Sequence, residues 1–380
     1  VTTKRKHIFD LTPDELGDAV EALGMPRFRA KQVLEWVYQK GVADPLQMTN
    51  LSARDREALA QSMDFVQGGV LRHERATDGT QKLLIDWEVR SGKPLSAEKS
   101  TAGGGLQVLN NPTGGGIDSQ TECVMIPATS EDSGKERKTA CVSSQVGCPV
   151  GCKFCASGLS GLDGNLSAGQ IVQQVWQLSR LPKVERISNV VFMGMGEPLS
   201  NFPRVVKAAQ TMMADWGLGI SGRKITISTV GLPSPMKRLA DMDLPITLAI
   251  SLHAPNDEVR RKIIPWAEFV TIDELVEAGR YYFNKTGREV TLEYILLSGV
   301  NDQPEHAHEL AAVSGKLRSN INLIRYNEVK GLPFIRPQNE DVYRFQQILR
   351  DAGRTVHIRA SRGRDIAAAC GQLRHEHSTS

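Results

Sequence analysis

Cys148-Pro149-Val150-Gly151-Cys152-Lys153-Phe154-Cys155 sets three cysteines at Cys-x3-Cys-x2-Cys spacing in a short stretch rich in glycine and proline. Three thiolates hold three irons of a [4Fe–4S] cluster, for which four are usually supplied. No fourth cysteine lies in the loop, so one iron is left open. An open iron binds a small molecule and passes it an electron. Phe154, just before the third cysteine, is placed to shield such a cluster. Two plainer readings stand beside this one. Structural zinc also uses clustered cysteines, and Cys141 is at hand as a fourth thiolate. A disulfide framework is disfavoured in a chain of 380 residues with six cysteines and no secretory start.

Composition sets wide bounds. The length allows two domains, or one large domain with an accessory piece. Hydrophobic residues make up 40%, enough for a full core, and the net charge is only +3. That excludes a strongly basic nucleic-acid coat, so any RNA contact falls to local patches. No apolar stretch is long enough to cross a membrane. A reducing, cytoplasmic location suits both free thiols and an oxygen-sensitive cluster.

The chain divides into four stretches. Residues 1–66 read as a small helical accessory domain. Thr12 caps a helix that starts at Pro13 with Glu15 in its first turn, and a second helix runs around Ala30 to Tyr38. Between them Pro26-Arg27-Phe28-Arg29-Ala30-Lys31-Gln32 is either a phosphate- and base-contacting turn or an ordinary solvated loop. Residues 67–137 read as short linker strands, broken by a Gly-rich insertion near 103–116. Residues 138–365 alternate β-branched apolar runs with helical periods, six strands in all and then a last one at Thr355 to Ala360. This is the pattern of parallel βαβ units. Thr271 with Glu274 forms a capping box in one of the intervening helices. Residues 366–380 form a tail containing Cys370.

Polar residues collect where these strands end, which is where parallel sheets bind ligands. Met193-Gly194-Met195-Gly196-Glu197-Pro198 follows the second strand, and its glycines allow close backbone approach. Ser228 closes the next strand. Ser251, Leu252 and His253 follow the one after, and Asn327 a later one. Each alone is an ordinary cap. On one edge of a sheet they outline one pocket.

Together these strings resemble one family, the radical S-adenosylmethionine (SAM) methyltransferases that methylate C2 of adenosine in 23S ribosomal RNA. The strings are Cys141-Val-Ser-Ser-Gln-Val-Gly-Cys148, Gly-Met-Gly-Glu-Pro at 194–198, Ser251-Leu-His-Ala-Pro255, His306 within Glu305-His-Ala-His308, and Ala369-Cys370-Gly-Gln-Leu373. The resemblance implies an α/β fold, a partial (βα)6 radical-SAM barrel with a small helical N-terminal accessory domain. It implies a [4Fe–4S] cluster on Cys148, Cys152 and Cys155, and SAM held by Gly196, Glu197, Ser228, Ser251, Leu252, His253 and Asn327. Catalysis falls to Cys370, Cys141 and Glu122. One SAM methylates Cys370. A second is cleaved to a radical that takes hydrogen from that methyl, and the methylene radical adds to C2. Cys141 then attacks the Cys370 sulfur and releases product, leaving a disulfide, while Glu122 accepts a proton. The implied partners are 23S rRNA, tRNA at the adenosine beside the anticodon, and a flavodoxin-like electron donor; the implied state is a monomer. A sister family that methylates C8 of the same nucleotide shares the cysteines and stays open as the alternative. The chain departs from the family pattern at Ala367, often acidic in relatives, and at Arg325-Tyr326, where an apolar or Trp-containing string is common.

Overall fold

Hydrogen bonding runs unbroken across ten strands that lie in the sheet in the order of the chain. The computed structural model describes residues 5–87, 119–129, 136–159 and 161–373. The Gly-rich insertion near 103–116 and the end of the tail lie outside these residues. The strands are β1 (Gly69–Arg75), β2 (Gln81–Asp86), β3 (Gln120–Thr129), β4 (Glu136–Cys141), β5 (Asn189–Phe192), β6 (Ile225–Thr229), β7 (Thr247–Ser251), β8 (Val290–Leu296), β9 (Ser319–Arg325) and β10 (Val356–Arg359). From β4 to β10 every neighbouring pair is parallel. From β1 to β4 every pair is antiparallel. The strands within 67–137 therefore extend the same sheet as the βα units.

Helices fill the crossovers, as parallel strands require. They are α4 (Ala168–Leu178), α5 (Phe202–Met213), α6 (Pro233–Asp241), α7 (Asp257–Ile263), α8 (Ile272–Thr286), α9 (Pro304–Ser314) and α10 (Asn339–Asp351), which follow α1 (Pro13–Ala22), α2 (Arg29–Leu34) and α3 (Ala53–Ser62). The Thr271–Glu274 capping box forms at α8. At α1, Thr12 N–H donates to Glu15 at 2.7 Å and Glu15 N–H donates to the Thr12 hydroxyl at 3.2 Å. β8 is buried along its whole length, as expected of a strand covered on both faces.

The N-terminal helices are locked onto the barrel. Phe9 packs its ring against Tyr38 and against Trp176 of α4, with centroids 5.5 and 5.6 Å apart. The Asp10 carboxylate reaches the start of α4, accepting from Gly169 N–H at 2.5 Å and from the Ser167 hydroxyl at 3.0 Å. A carboxylate there satisfies an orphan amide and opposes the positive end of the helix dipole. Asp10→Ala is expected to lower unfolding stability by about 1–2 kcal/mol. Urea titration followed by tryptophan fluorescence would register this as an earlier midpoint.

Candidate active site

The parallel strands all deliver their C-terminal ends to one rim. Gly196 and Glu197 follow β5, Ser228 lies in β6, Ser251 ends β7 with Leu252 and His253 just beyond, and Asn327 follows β9. The structure thus gathers every SAM-site candidate on a single edge. The cysteine loop leaves β4 at the same rim.

In that loop Cys155 N–H donates to the Cys152 carbonyl at 3.1 Å, and Lys153 N–H donates to the Ile263 carbonyl at the end of α7 at 2.9 Å. The three sulfurs are close enough to repel one another as anions. Burial pushes the Cys148 thiol up to about 12 and raises Cys152 and Cys155 as well. Backbone amides oppose this. Val150 and Gly196 bond to Cys148, while Ser157 and Gly158 bond to Cys155. Amide donors aimed at sulfur suit thiolate ligands of an iron–sulfur cluster. The surroundings are dry: Val150, Phe154, Ile263, Ile295 and Tyr326 pack around the loop. Among the described residues no three His, Cys, Asp or Glu side chains are gathered for a single metal ion. The buried sulfurs and the amides bonded to them fit a thiolate-held cluster.

Beneath the loop, Arg260 is fully buried in α7. It donates to the carbonyls of Val230 at 2.5 Å, Leu252 at 3.2 Å and Val270 at 3.4 Å, tying together the segments that follow β6 and β7. Desolvation brings its pKa down to about 10. The sequence shows Arg260-Arg261-Lys262 in a row, with nothing to mark which one turns inward.

Gly196 has φ +101°, and a Cβ there would stand 2.7 Å from the Gln145 Cβ and the Ser144 Oγ. Glu197 is buried, and its oxygens accept from Leu199 N–H at 2.9 Å and Val230 N–H at 2.7 Å. Burial raises its pKa to about 7 against those hydrogen bonds. The carboxylate therefore first braces the rim, and only its remaining lone pairs face a ligand. The hydroxyls of Ser228 and Ser251 are 3.1 Å apart. His253 has φ +58°; its Nδ1 accepts from Ile295 N–H at 3.0 Å, and its ring meets the edge of Phe154 at 5.1 Å. Desolvation and nearby Arg260 lower its pKa to about 3, so it is a neutral imidazole. Asn327 binds the tail: its Nδ2 donates to the Cys370 carbonyl at 3.3 Å. His306 caps α9, accepting from Gln303 N–H at 3.3 Å.

Cys141 and Cys370 line one cleft of ≈ 600 Å³, counting space open to solvent, together with Met193, Ile324, Asn327 and Arg359. Cys141, the candidate fourth zinc ligand, thus stands on the wall with Cys370. Burial and proximity to Cys370 push its thiol up to about 12, with Arg359 opposing. The Arg359 guanidinium is held by Glu293 at 3.3 Å, and Glu293 accepts from Asn322 at 3.0 Å. Glu293 and both thiols raise the pKa of Arg359. Glu122 enters on the same side of the sheet, its carboxylate 2.8 Å from the Lys82 ammonium. Sequence reading missed Lys82, Glu293 and Arg260, each a single charged residue inside an ordinary strand or helix.

The basic turn at 26–32 is only partly free. Arg27 is taken up by Asp14, Asp18 and Glu21 of α1. Phe28 is 60% exposed, with the Arg29 guanidinium 5.1 Å from its ring centre.

Residues 6–64 match the Ribosomal RNA large subunit methyltransferase N-terminal domain, and residues 142–311 match the Radical SAM superfamily. A probable dual-specificity RNA methyltransferase RlmN from Symbiobacterium thermophilum is 43% identical over 98% of this chain and 92% of that one. Its counterpart from Rhodopirellula baltica is 39% identical over 98% of this chain and 91% of that one. The chain belongs to the RlmN family of radical SAM methyltransferases. A solved radical SAM methyltransferase from Sphaerobacter thermophilus superposes with TM-score 0.85 at 38% identity, covering 98% of this chain and all of that one. The partial barrel expected from sequence is thus the RlmN-family fold, and its cofactors are a [4Fe–4S] cluster and SAM. No helix among the described residues is long and apolar enough to cross a membrane.

Gly196→Ala adds both positive-φ strain and a clash at the candidate SAM rim. SAM affinity, read by equilibrium dialysis against anaerobic protein, is expected to fall roughly tenfold or more.

Proposed function

We propose that this chain methylates C2 of adenosine in 23S rRNA, and the tRNA adenosine beside the anticodon, through a methyl group carried on Cys370. The observation that carries this reading is the shared cleft of Cys141 and Cys370, with the Arg359 guanidinium against both thiols. Adenine C2 is not nucleophilic, so direct displacement on SAM fails there. The bound cluster and SAM supply a one-electron reduction and the radical that activates a methyl group. Cys148, Cys152 and Cys155 hold the cluster, and the rim from Gly196 to Asn327 orients SAM. Electrons come from a flavodoxin-like donor.

The rest is the work of this chain's own side chains. Cys370 attacks the SAM methyl as a thiolate and gains an S–CH3 bond as the sulfonium–methyl bond of SAM breaks and S-adenosylhomocysteine leaves. Arg359 favours that anion. Once the carbon is joined to C2, the adduct's one unpaired electron would return to the cluster, Glu122 takes the C2 proton, and the C–H electron pair stays with the ring. Cys141 attacks the Cys370 sulfur as a thiolate, so that an S–S bond forms and the S–C bond breaks; its electron pair leaves with the carbon, which takes a proton and becomes the methyl of the product. A reductant then restores both thiols. Arg359 is occupied inside the cleft, which leaves phosphate contacts to Arg362 and to the Phe28–Lys31 side of the N-terminal helices. The reacting thiols lie inside this cleft, so the target base reaches them out of its stack.

The test is a product assay. Anaerobically reconstituted protein, SAM, reductant and unmodified 23S rRNA fragment are expected to yield 2-methyladenosine by mass spectrometry; 8-methyladenosine would overturn the regiochemistry. Cys370→Ala is expected to stay brown, with absorption near ~400 nm, and to form no methylated base. Continued methylation by that variant would rule out the methyl-cysteine route.

Arg359 gives a second prediction. Since the Cys141 thiol sits near 12 even with the guanidinium beside it, Arg359→Met should raise it further and slow adduct release. A Cys370-linked RNA species is expected to accumulate on denaturing gels. Because the thiolate fraction grows with pH below the pKa, release should quicken between about pH 7 and pH 9.

A further inference from the structure

Glu74, Lys82, Val124, Cys141 and Val191 are directly opposed across β1, β2, β3, β4 and β5. Residues opposed in this way point to one face of a sheet. Glu122 lies two residues from Val124 on β3, so it shares that face. The Lys82 ammonium stands 2.8 Å from Glu122 and 3.0 Å from Glu74. The side chains of Lys82 and Glu122 are 8% and 7% exposed, while that of Glu74 is 24% exposed. Two carboxylates thus share one buried ammonium, on the same row as a catalytic thiol.

We propose that Lys82 is a positioning residue for proton transfer: it holds Glu122 charged and aimed until the C2 proton arrives, and Glu74 retains Lys82 afterwards. The inference rests on the reading of Glu122 as the base. A buried carboxyl left alone prefers its neutral form, which cannot take a proton. An ammonium at hydrogen-bond distance reverses that preference. When Glu122 accepts the proton it becomes neutral and releases its half of the pair. Without Glu74 the ammonium would then be an unpaired buried charge, which is costly. With Glu74 the charge stays paired, and the partly exposed end of the ladder stands where solvent reaches it. The triad carries net charge −1 before transfer and 0 after it. Among the described residues the groups near this ladder include Arg72 on β1, 4.0 Å from Glu74, and Cys123 beside Glu122 on β3, which senses both Glu122 and Cys141.

A buried ion ladder is also what a purely structural sheet edge contains, and the experiment separates the two. Holoenzyme carrying Lys82→Met, Lys82→Arg or Glu122→Gln is mixed with RNA in single turnover. RNA–Cys370 adduct formation and breakdown are followed across pH and normalised to methylated Cys370, read by peptide mass spectrometry. In Lys82→Met, adduct breakdown is expected to slow roughly a hundredfold, with its acid limb moved to higher pH. Lys82→Arg should restore most of the rate. Infrared difference spectra against Glu122→Gln should show the Glu122 carboxylate band of the wild-type protein replaced by a protonated carboxyl band in Lys82→Met. An unshifted acid limb and an unchanged carboxylate band in Lys82→Met would overturn the inference, as would equal losses in the Met and Arg variants. Normal adduct breakdown by Glu122→Gln would instead remove the base reading on which it stands.

Discussion

The candidate active site depends on the return of the C-terminal tail to the cysteine loop. Ala156 N–H donates to the Gly371 carbonyl at 2.8 Å, and the Ser157 hydroxyl donates to the Leu373 carbonyl at 2.6 Å. Asn327 holds the Cys370 carbonyl between them. Further back, Thr77 N–H donates to Asp365 and Gly363 N–H donates to Asp78, which ties the tail to the β1–β2 turn. Ala367 sits at φ +49°, a backbone strain of about 1–3 kcal/mol that only such over-determination sustains. These bonds hold the Cys370 thiol between the cysteine loop and Cys141, which the chain places more than two hundred residues earlier.

The site controls charge by burial more than by excess. The apolar packing around the cysteine loop keeps water out, which raises the Cys148, Cys152 and Cys155 thiols and Glu197, and lowers His253. Charged groups appear singly where a group must ionise: Arg359 at the two thiols, Lys82 at Glu122, Arg260 under the rim. A net charge of +3 gives no hint of this arrangement. In a low-dielectric site one placed cation outweighs many on the surface.

Local signals were legible because their physics is local. The capping boxes at Thr12 and Thr271 involve residues three apart, and both formed. The alternation of apolar strands and helical periods announced parallel βα units, and every such strand found its neighbour in chain order. The basic turn was less legible. Asp14, Asp18 and Glu21 recur on one face of α1 and absorb Arg27, a spacing visible in the sequence but informative only once the following turn folds back on that face. The strands of 67–137 read as linkers because antiparallel pairing onto β4 is a long-range event with no local mark.

The sequence by itself determined which chemistry is available: three clustered thiols, two distant ones, a glycine-rich rim and a carboxylate. Thiolate count and glycine conformational freedom are properties of residue types and their spacing. Only the tertiary structure decided which charges meet them. Arg359 rather than its neighbours faces the thiols, Lys82 rather than solvent faces Glu122, and Arg260 alone of three adjacent cations is buried. These pairings follow from strand register and crossover packing, where a shift of one residue sends a side chain to the opposite face.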